Sequence, residues 1–226
     1  MDPVTEVASF SLKSADVSGP LSEALNDTLL QQPGCLRVRW SPVFEDATKA
    51  RAFIDWADIS RREQFLASPS YQPFLDKLGP FVESAPEAHQ VQLQPLPLSV
   101  LDNEGGKGKT PVVEVLHVYF QGDDSFTPEM KDLATSNAEK FLAQSVPVAK
   151  GCTGETALGW AIEKIDFKGE PSRALAVLVG WESVEAHMKF RGSEAFGKSI
   201  SILQRTPGIK GVTAVHVSFI TAERKD

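Results

Sequence analysis

An internal repeat constrains this chain more than any other feature. The segment ARAFIDWADISRREQFLASPSYQPFLDKL, from Ala50, lies beside ALAVLVGWESVEAHMKFRGSEAFGKSISIL, from Ala174. Trp56 and Trp181 are each followed by Phe65 and Phe190, then by Ser68 and Tyr71 or Ser193 and Phe196. The register continues outward: VTEVASFSL (4–12) parallels VVEVLHVYF (112–120), and PGCLRVRW ending at Trp40 parallels KGCTGETALGW ending at Trp160. Cys35 and Cys152 fall at equivalent places. A chain made of two diverged copies folds as two like units.

Each copy reads as strand, helix, strand, strand, helix, strand. The first strand of copy 2 alternates, with His117 and Tyr119 against Leu116, Val118 and Phe120, a period of two. Its first helix opens on Thr127-Pro128-Glu129, a capping hydroxyl followed by proline at the first helical position. A turn is expected at Lys168–Pro171, the second helix starts near Ser183, and the closing strand covers 212–220. The expected fold is α+β, two ferredoxin-like βαββαβ units, one sheet with helices on one face in each. The open faces of the two sheets are expected to close on each other as an intramolecular α/β barrel. The predicted boundaries are unit 1 at 1–97, a mobile linker at 98–111 and unit 2 at 112–226.

Composition removes several functions. The chain is 42% hydrophobic and 23% charged, with a formal net charge of -7 and neither half basic, which disfavours nucleic acid and anionic membrane as partners. The opening MDPVTEVASF lacks a secretory pattern and no apolar run is long enough to span a bilayer, so the cytoplasm is the expected location. Two cysteines make neither a disulfide scaffold nor a CxxC site, and both read as unpaired small hydrophobes. No metal site is expected. The string Glu104–Thr110 ends like a P-loop, but position 103 is Asn and a strand follows, so it reads as linker. Val118–Gly122 resembles a protease-tag scar, yet the repeat runs through it.

The candidate chemistry gathers in copy 2. Alternation groups His216 with Ala214 and Ser218, away from Val215, Val217 and Phe219, so His117 and His216 are both expected on the face opposite the helices. First and last strands are neighbours in this fold, so the two imidazoles are expected to meet there as acid and base, with Tyr119 orienting a phenol or enolate. Copy 1 carries Ser9 and Val91 at the matching positions, which makes the site one-sided. Arg37, Arg39 and Asp55 are expected on the same face of copy 1, able to hold a carboxylate or phenolate, or else simply solvated.

At GWESVEAHMKFRGSEAFGKSI (180–200) the chain resembles the dimeric α/β barrel superfamily, which includes antibiotic-biosynthesis monooxygenases, EthD-like and stress-responsive barrel-domain proteins. The Trp-x-Ser opening, the His six residues after the Trp, the Phe and the Ser-x-x-Phe carry the likeness. The resemblance implies a lumen for a small, mostly apolar or aromatic molecule and chemistry without metal or flavin, hence no cofactor. It implies a catalytic His at position 117, as in some related cyclases, and a functional Trp at 56 or 181; Trp181 and Trp160 are candidate substrate-binding residues. The monooxygenases also use an Asn on an upstream strand, whereas this third strand reads ALAVLVGW. His187, on the second helix, would be a haem ligand by analogy with haem-binding relatives, against the plainer expectation of a surface or capping residue. The leading expectation is a cofactor-independent enzyme of secondary metabolism performing cyclisation, isomerisation or elimination. The alternatives are a non-catalytic small-ligand or stress-responsive binding protein, and a cofactor-free monooxygenase. A homodimer is left open.

Overall fold

The structure is a computed structural model that describes residues 3–102 and 109–224. It divides into two compact units: residues up to 92 together with 217 onward, and residues 93–216. Among the described residues no helix is long and apolar enough to cross a membrane.

Unit 1 contains β1 (Val4–Ser11), α1 (Ser18–Leu29), β2 (Cys35–Val43), β3 (Asp46–Trp56), α2 (Ile59–Leu66), α3 (Tyr71–Leu78) and β4 (Glu87–Val91). Its sheet runs β4-β1-β3-β2, all pairs antiparallel. Val4, Ala8 and Phe10 share one face of β1, continued by Leu12 just beyond it, with Ala50, Ala52, Ile54 and Trp56 beside them on β3, and the helices cover that face. Leu21, Leu25 and Leu29 form the matching stripe on α1 at four-residue spacing, each at most 2% exposed. Burial of each such leucine contributes about 2 kcal/mol. The expected second helix is broken in two: Asp58 caps α2 by accepting from the Arg61 amide, and Ser68-Pro69-Ser70 separates it from α3.

Unit 2 repeats the plan. It contains β5 (Val112–Gln121), α4 (Pro128–Ser145), β6 (Cys152–Trp160), β7 (Ile165–Phe167), β8 (Glu170–Trp181), α5 (Val184–Arg191), α6 (Glu194–Gln204) and β9 (Ile209–Val217). The order β9-β5-β8-β6 is that of unit 1, so each unit is ferredoxin-like. Val112, Leu116, Val118 and Phe120 face α4–α6. Thr127 caps α4 with Pro128 in its first turn, as its sequence predicts, and Ser183 and Ser193 cap α5 and α6. The expected turn at Lys168-Gly169 joins β7 to β8, with φ of 58° and 84°, the positive pair a two-residue hairpin loop requires.

The repeated Gly-Cys pair has a backbone cause. Gly34 and Gly151 take φ of 85° and 80°, and a Cβ on Gly151 would lie 2.6 Å from Cβ of Ala186. Cys35 and Cys152 are both free thiols, and burial pushes the Cys35 thiol up to about 12, keeping it protonated and inert.

The unit boundaries depart from the expected 97 and 112. Gln94, expected in unit 1, exchanges backbone hydrogen bonds of 2.8 and 2.9 Å with Leu158 of unit 2, and the segment read as a mobile linker begins as packed structure, with Leu98, Val100 and Leu101 buried. Those apolar side chains outweigh Pro95 and Pro97, which precede them. The P-loop-like string falls mostly at 104–108, outside the described residues. At the other end, β10 (Ile220–Glu223) pairs with β2 in unit 1, and Phe219 packs 5.0 Å from Phe53.

Candidate functional site

The core-facing side of each sheet carries one acid. Glu6 interrupts the series Val4, Ala8, Phe10, and Glu114 interrupts Val112, Leu116, Val118, so strand alternation alone drives both carboxylates toward the helices. A carboxylate in an apolar layer needs partners. In unit 1, Trp56 Nε1 donates to Glu6 Oε2 at 3.1 Å and Arg62 Nη2 donates to Oε1 at 3.3 Å. In unit 2, Trp181 Nε1 donates to Glu114 Oε2 at 3.2 Å and His187 Nε2 lies 3.5 Å from the same oxygen. Arg62 and His187 each stand six residues after the tryptophan, so the two units share a tryptophan–glutamate pair and differ in the third member.

Unit 2 extends its network by one residue. His187 Nδ1 and His216 Nε2 are 2.6 Å apart, both residues 3% exposed, with the ring of His187 centred 4.7 Å from Trp181. One proton bridges the two nitrogens, so one ring donates and the other accepts. In unit 1 the residue opposite Glu6 on β4 is Gln90, 1% exposed.

The space beside these groups differs sharply. In unit 2 it amounts to about 20 Å³, room for a single water, among Phe141, Leu142, Val179, Trp181, Phe190 and Phe196. In unit 1 it is about 160 Å³, with Glu6 and Arg62 at one side and Phe10, Leu25, Leu29, Phe65, Tyr71 and Phe74 among its walls. Leu25 and Leu29 of α1 leave open what Phe141 of α4 helps to fill. Tyr71 and Phe74 stand against Phe65 at 5.4 and 5.5 Å between centroids, within the range of favourable aromatic pairs.

The residues expected from sequence are distributed differently. His117 and His216 do not form a pair: His216 bonds to His187 on the helix side, whereas His117 alternates with core-facing Leu116 and Val118 and points to the opposite face. The cause is a one-residue slip in the reading of β9, which turns every side chain over. Tyr119 stacks on Phe167 at 4.1 Å and shares a 3.2 Å hydrogen bond with Thr213. His187, expected at the surface or as a cap, is buried in the network. Trp181 reaches the unit 2 space, but Trp160 belongs to the core, 5.3 Å from Phe120 and donating to Thr135 at 2.9 Å. Arg37 is exposed and pairs with Glu223 at 2.6 Å. Asp55 is held by buried Arg39 at 2.8 Å and by the Thr5 hydroxyl at 2.9 Å, away from the pocket. Glu6 and Glu114 were legible only as matching letters in the repeat, and Arg62 only as the residue aligned with His187. Among the described residues no group of three or more His, Cys, Asp or Glu is placed to hold a metal ion.

Taken together, fold and site define a tandem ferredoxin-like protein with a small-molecule-sized pocket between sheet and helices in its first unit. No family model matches the sequence, and no curated protein matches it. Solved structures match its fold over the whole length. An anthrone oxidase-like protein superposes with a TM-score of 0.68 at 16% identity, covering 100% of this chain and 95% of that one. A protein provisionally designated a monooxygenase from Fusobacterium nucleatum gives 0.60 at 12%, covering 99% and 95%. Another so designated, from Lactobacillus acidophilus, gives 0.57 at 11%, covering 99% and 97%. The fold, two ferredoxin-like units in tandem, is therefore one this chain shares over its whole length with those structures.

Proposed function

We propose that this protein is an enzyme acting on a small, mostly apolar molecule bound in the sheet–helix pocket of unit 1, by acid–base chemistry. The observation that carries the reading is the Glu6 carboxylate, pinned by Trp56 and Arg62 at the edge of an aromatic-walled space of about 160 Å³. A C–H or O–H bond of the substrate breaks, the proton passes to Glu6, and the electron pair stays on the substrate as an enolate or phenolate. Arg62 supplies positive charge beside the oxygen on which that charge develops. Return of the proton at another atom completes an isomerisation, and departure of a leaving group completes an elimination. This replaces the His117 and His216 pair by groups that share one pocket.

A second reading is favoured by the fold likeness to proteins designated monooxygenases and to an anthrone oxidase-like protein. An enolate formed by the same proton transfer would react with dioxygen as co-substrate. Both readings share the first step, so hydrogen exchange tests them together. In D2O, phenols and 1,3-diketones should exchange C–H for C–D faster with the protein than with buffer, and Glu6→Gln should lower that rate on the order of 10²-fold or more. Exchange that survives Glu6→Gln intact, or none above buffer across the panel, would remove the reading.

A further inference from the structure

The unit 1 pocket also limits what it can take. An enclosed apolar cavity of about 150 Å³ holds one benzene ring, and this pocket, partly open to solvent and about 160 Å³, has room for a ring of that size. Its polar edge carries one negative and one positive group that already neutralise each other: Glu6 and Arg62, whose side chains are 12% and 15% exposed. An anionic ligand would have to draw Arg62 from Glu6 and leave a largely buried carboxylate without its cation, and a cationic ligand would do the reverse. A neutral hydroxyl avoids both. It donates to a carboxylate oxygen of Glu6 and accepts from the guanidinium, whose planar fork carries five N–H groups. The rings of Phe65, Tyr71 and Phe74 then surround the ligand's ring.

We infer that the pocket of unit 1 selects neutral, single-ring phenols, with the hydroxyl seated between Glu6 and Arg62. This rests on the reading of that pocket as the working site, and unit 2, with room for one water, takes no such ligand.

The test is fluorine NMR of 4-fluorophenol titrated with the full chain, beside fluorobenzene, 4-fluorobenzoate and 6-fluoro-2-naphthol. Saturable broadening is expected for 4-fluorophenol, with fluorobenzene and 4-fluorobenzoate weaker by about tenfold or more. Glu6→Gln should weaken 4-fluorophenol by a similar factor. Ala88→Trp, at an exposed lining position where a large side chain does not enter the core, should abolish binding. If fluorobenzene binds as well as the phenol, or the naphthol binds in its place and is lost with Ala88→Trp, the assignment to single-ring phenols is overturned while the pocket stands as the site. If no probe binds, or binding ignores Ala88→Trp, the reading of the pocket falls with it.

Discussion

The buried network of unit 2 makes a quantitative demand on stability. Replacing His187 by Leu removes the 2.6 Å hydrogen bond to His216 and the imidazole nitrogen 3.5 Å from Glu114, at a site where both histidines are 3% exposed. A buried polar group deprived of its partner costs about 1–3 kcal/mol. Glu114 keeps the Trp181 donor, so about 3 kcal/mol is expected in total. For a chain of this length that is a melting-point loss of roughly 6–12 °C. His216→Leu should cost about 2 kcal/mol, because it strands only one nitrogen of His187. The double substitution removes both partners at once, so its cost should fall short of the sum by about 1–2 kcal/mol. Urea unfolding of the four proteins at pH 7.5, read at constant slope, measures the cycle. Costs that add within about 0.3 kcal/mol would refute the account of a shared proton between the rings. Arg62→Leu in unit 1 should likewise cost about 3 kcal/mol, since it leaves the Glu6 carboxylate, whose side chain is 12% exposed, without its cation.

Two further outcomes follow from other parts of the fold. Gly151→Ala should destabilise by about 2 kcal/mol in thermal melts, from its φ of 80° and a Cβ 2.6 Å from Ala186, and a neutral result would contradict the turn. Burial, aided by the Arg51 charge, lowers His89 to about 4. The unfolded chain therefore takes up a proton that the folded one refuses, and stability should fall by about 2 kcal/mol as pH drops from 6.5 toward 4. His89→Gln should flatten that slope in pH-dependent urea midpoints, and an unchanged slope would assign it to other groups.

The repeat exposed the architecture because packing patterns are local. Alternation on β5, the Thr127-Pro128 cap and the Gly-Cys turns each follow from a few neighbouring residues, and each stands in the structure. The site was less legible. Its members come from strand, helix and strand far apart in sequence, and the deciding residues, Glu6 and Glu114, are two matching letters in aligned apolar strings. An acid recurring within the apolar face of both copies is the signal that could have found them. His216 shows how fragile such reading is, since one residue of register separates the face of His117 from that of His187. The divergence that matters, an open pocket in unit 1 and a filled one in unit 2, is a matter of side-chain volume in three dimensions, which no spacing in the sequence records.

Whether the ligand sits in unit 1 and not in unit 2 is decided by locating a heavy atom. Crystals soaked with 4-bromophenol and measured at the bromine edge should show an anomalous peak in the pocket beside Phe65, Tyr71 and Phe74, with the phenol oxygen within hydrogen-bonding distance of Glu6 and Arg62. A bromine peak beside Glu114 and His187, or anywhere outside the unit 1 pocket, would contradict the placement in unit 1.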